Sequence, residues 1–406
     1  MAGRGRFHRA ARKFRRSLGP DTASNMNGFL PYTRQTVEED DIAAVSAVLR
    51  SDFLTTGPAV TAFEEALAER VGATHAIACA NGTAALHLAA LALGLGRGDK
   101  VIVPAITFVA TANCARYVGA DVVFTDVDPD TGLMGAEDFQ DALSRAGDGA
   151  KAVFPVHIGG QPCAMGEISV IARNANLSTV EDAAHAIGTT HADGSVAGNC
   201  RNSDMTIFSF HPAKTLAMGE GGIVTTNDAA LAERLRLFCG HGIVREANHP
   251  PGYYEMKELG FNYRLSDIHS ALGLSQLGRL DRLVERRAQL VALYDREVAR
   301  LAPVVRPVTR IPTGATGWHL YQVLIDFDQA NKSRSGVMND LREAGIGTQV
   351  HYIPVHRQPY YAALDAQPAL PGADAFYARC LSLPLYVGME DEDAVRVVAA
   401  LENILS

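Results

Sequence analysis

Apolar positions fall at helical spacing near the start of the patterned chain and then alternate between helix-like and strand-like runs. Val37, Ile42, Val45, Val48 and Leu49 recur near a 3.6-residue period and predict an amphipathic helix over 36–50. Ser51-Asp52-Phe53-Leu54-Thr55-Thr56-Gly57-Pro58 breaks it, and a second helix is predicted over 59–71, ending at Gly72. Beyond it, short apolar or β-branched runs recur at 75–80, 100–104, 122–127, 152–156, 178–182, 205–210 and 222–226. Helical patterns occupy most of the gaps, at 83–93, 108–118, 135–146 and 166–174. Strands alternating with helices predict an α/β fold: a mostly parallel, seven-stranded sheet with helices on both faces.

The pattern then changes. A helix over 228–239 stops at Gly240, and 242–260, with Pro250-Pro251 and Tyr253-Tyr254, reads as a long loop. Leu280, Leu283, Leu290, Leu293, Tyr294 and Val298 mark the apolar stripe of a long helical region, 266–301, which Pro303 ends. The rest reads as a small α+β unit, with strands at 318–326, 350–355 and 381–385 and helices at 333–344 and 390–405. The expected organisation is a basic tail over 1–28, a large domain over 29–280 and a small C-terminal domain over 281–406.

Composition bounds the function. The 406 residues are 47% hydrophobic and 20% charged, enough apolar surface for two buried cores. The net charge of −8 argues against a general nucleic-acid binder. It is unevenly spread: Arg4, Arg6, Arg9, Arg12, Lys13, Arg15 and Arg16 place +7 in the first 16 residues, leaving −15 for the remainder. That segment lacks the apolar stretch of a secretory signal. It reads as a dispensable extension, with translation from Met26 as one origin, or as an organellar presequence or a contact for an anionic surface. No apolar run approaches the ~18 residues of a membrane span. The six cysteines are scattered without a Cys-x-x-Cys pair, as expected of reduced thiols in a cytoplasmic protein.

Four stretches carry candidate chemistry. Ala80-Asn81-Gly82-Thr83 lies at a strand-to-helix turn, where unpaired backbone N–H groups and the helix dipole suit a phosphate, though an ordinary capped turn has the same appearance. Asp182 and His185 stand where a strand runs out, the edge at which open α/β sheets bind ligands. An aspartate there serves as a helix cap, a metal ligand or a partner for a protonated ring nitrogen; the histidine reads equally as core. Phe108, after Pro104-Ala105-Ile106-Thr107, is either core packing or a stacking surface for a flat ligand. Lys214 sits in the turn Ser209-Phe210-His211-Pro212-Ala213-Lys214, among small and apolar neighbours whose desolvation would favour the neutral, nucleophilic amine. In combination these are the parts of a pyridoxal phosphate site.

These motifs, together with Gly219-Glu220-Gly221-Gly222 and Gly260-Phe261-Asn262-Tyr263-Arg264-Leu265, resemble the DegT/DnrJ/StrS family of nucleotide-sugar aminotransferases from about Leu30 onward. The resemblance implies the fold-type-I pyridoxal phosphate architecture. It implies that Lys214 holds the cofactor aldehyde covalently and that Asp182 pairs with the ring nitrogen. Phe108 would stack on one ring face, with His185 against the other or near the ring hydroxyl. Gly82, Thr83 and Ser209 would bind the phosphate, and Asn262 would complete the phosphate cup of a neighbouring subunit, making a homodimer the catalytic unit. Arg264, His351 and Tyr352 match regions near the sugar nucleotide.

The resemblance further implies transamination from glutamate to a keto-sugar nucleotide, with the 4-transaminases of pseudaminic acid biosynthesis as the nearest pattern. A dehydratase of the same fold characteristically carries histidine at the lysine position, so Lys214 speaks against it. A nucleic-acid-binding protein using the basic tail is the non-enzymatic rival. One departure stands out: Thr215-Leu216-Ala217-Met218 follows the lysine, where family members commonly carry polar residues, often two threonines.

Overall fold

The computed structural model describes residues 28–245, 249–364 and 368–406, so the basic N-terminal segment lies outside the described residues. The first two helices are α1 (Glu39–Leu49) and α2 (Pro58–Val71). Asp41 accepts from the Glu38 backbone N–H at 2.9 Å and starts α1 three residues later than the periodicity suggests. Pro58 occupies the first turn of α2, where its missing N–H costs nothing. The carboxylate of Asp267, more than 200 residues away, accepts from Gly57 and Ala59 at 2.8 and 3.0 Å.

The sheet follows: β1 (His75–Cys79), α3 (Gly82–Ala92), β2 (Lys100–Pro104), α4 (Val109–Tyr117), β3 (Asp121–Thr125), α5 (Ala136–Ala146), β4 (Ala150–Val153), α6 (Met165–Asn174), β5 (Ser178–Asp182), β6 (Met205–Ser209) and β7 (Gly222–Thr226). The seven strands lie in the order β1-β7-β6-β5-β4-β2-β3. All neighbouring pairs are parallel except those of β7, which runs antiparallel to both β1 and β6. Successive strand residues feed opposite cores, as a pleat with two covered faces requires. Val101, Val103, Ile207 and Val224 join α3, α4 and α7 (Ala229–Cys239) on one face. Ile102 on the other face packs with α5 and α6, and Phe208 and Ile223 pack there with α2.

The loop expected over 242–260 contains a small hairpin, β8 (Ile243–Val244) with β9 (Glu255–Met256). The single helical region expected over 266–301 is two helices, α8 (Asp267–Leu277) and α9 (Leu280–Val298). The break falls where Arg279 leaves helical geometry and pairs with the buried Asp41. The C-terminal sheet is β10 (Val305–Pro307), β11 (Tyr321–Ile325) and β12 (Cys380–Leu383), flanked by α10 (Arg334–Glu343), α12 (Pro371–Arg379, after the short α11, Pro359–Ala362) and α13 (Asp391–Leu405). No strand forms over 350–355; Gln349 alone bridges to Ser382, and the residues after it turn toward a cavity. Leu30 packs in the C-terminal core beside Leu290 and Val323, its backbone tied to Gly345 and Gly347. In return, Val308, Leu324, Tyr361 and Phe376 pack into the first core.

The departure after Lys214 has a packing reason. Leu216 and Met218 are fully buried beside Phe63 and Phe210. A Cβ at Gly273 of α8 would stand 2.5 Å from the Met218 Cε, so a glycine across the interface makes room for the methionine. Apolar side chains in this turn weld the lysine loop to α2 and α8.

Candidate active site

The carboxyl ends of β1, β2, β5 and β6 surround a cavity of about 570 Å³. Asn81 caps α3, its side chain accepting from the Ala84 N–H at 2.9 Å, which leaves the N–H groups of Gly82 and Thr83 at the cavity without a partner among the described residues. Gly82 is close to obligatory: a Cβ there would lie 2.8 Å from the Ser209 Cβ. Gly82, Thr83 and Ser209 thus form a tight cradle at a helix N-terminus, with the room and the donors that a phosphate needs.

Asp182, at the end of β5, is almost fully buried on the α3 face. Its carboxylate accepts from the Thr111 hydroxyl at 2.7 Å and the Ala184 N–H at 3.1 Å. Because Thr111 donates to Asp182, the 2.7 Å contact between the Thr107 and Thr111 hydroxyls makes Thr107 the donor to Thr111. Burial raises the Asp182 pKa, opposed by these hydrogen bonds and by the charge of Lys214.

Lys214 is half-buried, with the cavity on its open side and its backbone N–H bonded to the His211 carbonyl. Desolvation lowers its pKa to about 8, with Asp182 pulling the other way. Phe108 precedes α4 and is 55% exposed, so it serves no core; its open surface lines the cavity. His185 accepts from the Gly159 N–H at 3.2 Å and lies 3.2 Å from the Tyr352 hydroxyl. His351 bonds Ser382 at 2.7 Å, and burial together with Lys214 lowers its pKa to about 3. Among the sequence-derived candidates, Gly82, Thr83, Phe108, Asp182, His185, Ser209, Lys214, His351 and Tyr352 therefore share one cavity. Asn262 and Arg264 do not line it: both are exposed on the strand-like segment that runs beside the end of β1.

Sequence reasoning missed Thr107, Thr111, Tyr32 and His319, all of which line the cavity. The four-residue spacing of the two threonines across Phe108 was a usable signal. His319 had none, since it arrives from the run before β11 to pack on His185 at 4.4 Å between ring centroids.

On the opposite face of β5, Glu181 is buried between His157 Nε2 at 2.8 Å and His191 Nε2 at 3.3 Å. Among the described residues these three are close enough together to suggest a metal centre. However, His157 Nδ1 accepts the Cys163 N–H at 3.1 Å, so the ring proton is on Nε2 and donates to Glu181; that nitrogen has no lone pair for a metal. The group is a hydrogen-bonded charge network.

Burial opposes charge on both Glu181 and His191, but hydrogen bonds outweigh it: those from His157 and then His191 lower the Glu181 pKa, and the contact with Glu181 raises that of His191. The stability His191 contributes is complete below its ordinary value near 6.5 and is lost as pH rises through its raised value. Glu181 acts only at much lower pH, so the two windows do not overlap. Calorimetry of wild type should show stability falling above pH 6.5 by up to about 1.4 kcal/mol per pH unit, and Glu181→Gln should flatten that slope.

The chain is 38% identical over 387 residues to the spore coat polysaccharide biosynthesis protein SpsC of Bacillus subtilis, covering 93% of this chain and 98% of that one. It superposes with a TM-score of 0.86 on Helicobacter pylori PseC, an aminotransferase involved in the biosynthesis of pseudaminic acid, at 29% identity over 93% of this chain and 99% of that one. A sugar aminotransferase of Streptococcus pneumoniae, Spr1654, solved in PMP-form and PLP-form, matches at 26% identity with TM-scores of 0.85 and 0.83, over 93% of this chain and 99% and 98% of those chains. The DegT/DnrJ/EryC1/StrS aminotransferase family model matches residues 35–402, and the chain belongs to that family.

Proposed function

We propose that this enzyme moves the amino group of glutamate onto the keto carbon of a 4-keto-6-deoxy sugar nucleotide, a UDP-linked N-acetyl hexos-4-ulose, in the making of a surface glycan or nonulosonic acid. The observation that carries the reading is Lys214, its pKa lowered to about 8, facing the cavity that Asp182 closes from β5. The residues present fit pyridoxal phosphate: a cradle at Gly82 that a Cβ would fill, an exposed aromatic wall and a buried carboxylate. Bound there, the cofactor supplies an aldehyde for the lysine and a ring that withdraws electrons from the reacting carbon.

Each residue then has a part. Gly82, Thr83 and Ser209 would hold the phosphate, Phe108 would stack on one side of the ring with His185 against the other or near the ring hydroxyl, and Asp182 would hold a proton on the ring nitrogen. Lys214 would hold the cofactor aldehyde through its neutral amine and, when free, would take and return the proton at the reacting carbons. A pKa near 8 leaves both of its forms populated close to neutrality, which suits a group that must take and return a proton. Asn262 would complete the phosphate cup of a neighbouring subunit, a reading its exposure outside this cavity supports, with Arg264 near the sugar nucleotide; the working unit is then a homodimer. The relatives' roles in pseudaminic acid and spore coat polysaccharide biosynthesis support the substrate class. Within it, the sugar of UDP-4-amino-4,6-dideoxy-N-acetyl-β-L-altrosamine, the product of a 2.6.1.92 transaminase, is the specific reading.

The test is a panel of keto-sugar nucleotides incubated with glutamate and holoenzyme. NMR should place a new amine at C4 of the UDP-linked 6-deoxy N-acetyl sugar. Amination at another carbon moves the substrate assignment, and loss of a sugar hydroxyl without amination overturns it.

A further inference from the structure

Leu216 and Met218 fill the core behind the lysine loop, which leaves Thr215, the polar residue of that turn, unexplained. Its hydroxyl is buried and has no hydrogen-bond partner among the described residues. The same is true of the Nε of Arg287, in the middle of α9. Both residues line a second cavity of about 10 Å³, room for about one water-sized sphere. It shares only Lys214 with the larger cavity.

Arg287 is 2% exposed, yet no carboxylate pairs with it among the described residues. Its Nη1 donates to the carbonyls of Trp318, His319 and Leu385 at 3.3, 3.3 and 3.1 Å, which are dipoles and not charges. Burial alone pushes its pKa down, to about 10, so the group stays cationic at neutral pH. A buried cation is costly unless an anion answers it. Asp41 does not: Arg279, Ser275, Gln276 and the Glu38 N–H already occupy its carboxylate. The cavity lining adds Lys214 and, exposed at the rim, Arg34, and it contains no aspartate or glutamate. The site is therefore positive on every count, with two buried donors unspent and space for one atom-sized guest.

We propose that this cavity binds a single chloride ion, held by the Arg287 Nε–H and the Thr215 hydroxyl. Phosphate, sulfate and carboxylates exceed the space. The ion ties Thr215, next to Lys214, to α9, and so anchors the lysine loop from outside the larger cavity. It does not depend on what the larger cavity holds.

The experiment follows the Tm of wild-type and Thr215→Val holoenzyme as chloride replaces gluconate at constant ionic strength. Wild type should gain about 2 °C and the variant nothing. No gain in wild type, or an equal gain in both, overturns the proposal. Crystals of wild type grown in bromide give a second reading, an anomalous peak between the Arg287 Nε and the Thr215 Oγ1. A peak without a shift in solution is binding at crystal concentration only and overturns the proposal too. Should Thr215→Val fail to fold, wild type decides: density there without anomalous signal is a water, and the ion assignment falls.

Discussion

Lys214→Ala should abolish turnover, with a fall of about 10³-fold or more, because on the proposed function it removes both the covalent hold on the cofactor and the group that moves the proton. Borohydride should fix the cofactor to the peptide carrying Lys214 in wild type and to no peptide in the variant, as mass spectrometry reads. A purified wild type without visible absorbance after cofactor addition would refute the assignment. The lowered pKa adds a readout that needs no cofactor. Between about 8 and the ordinary 10.5, the unfolded chain binds a proton at Lys214 that the folded chain has already released. Lys214 therefore makes a contribution to the stability of the cofactor-free protein that rises with pH through that window. In Lys214→Ala this contribution to the slope should vanish. A slope that persists unchanged would place the desolvated amine elsewhere.

What made the lysine loop legible was local: small neighbours, flanking strands and a family motif. What made it stable was not. Met218 sits where it does because Gly273, on a helix 55 residues further along, has no side chain to occupy the space. No pattern near Met218 could announce that. The seven strands were legible because each is a short apolar run between turn residues, buried on both faces. Such strands carry no alternation to mark their neighbours, so the insertion of an antiparallel β7 between β1 and β6 was out of reach. The run 350–355 misled for a related reason. Its apolar and aromatic residues serve to line a cavity, with Val350, His351 and Tyr352 all at its wall, rather than to fill a pleat. The same segment gave two correct members of the cavity, since His351 and Tyr352 were found by motif. Asn262 and Arg264, found the same way, lie outside this cavity within one subunit.

Asp182 is the residue whose replacement should show how much of the chemistry depends on charge. Asp182→Asn preserves volume and leaves an oxygen for the Ala184 N–H, so the fold should hold. The carboxylate is held by a chain that begins at the Thr107 hydroxyl, passes through Thr111 and ends on Asp182, all of it buried. That arrangement carries a cost, because burial raises the pKa of the acid. On the proposed function, a protonated ring nitrogen would relieve it by adding a positive partner to the charge of Lys214. Removing one member of such a buried pair costs about 3–5 kcal/mol, so kcat in Asp182→Asn should fall by about 10²- to 10⁴-fold. The loss should be recovered in part by a cofactor analogue methylated on the ring nitrogen, whose positive charge needs no carboxylate to hold a proton. Thr111→Val tests the chain behind the carboxylate: with one hydrogen bond fewer, the Asp182 pKa rises further and the charged pair weakens. Its kcat should fall by about tenfold, between wild type and Asp182→Asn. If Asp182→Asn retained wild-type kcat, the carboxylate would be a structural cap, and the electron-withdrawing role of the ring would need another source.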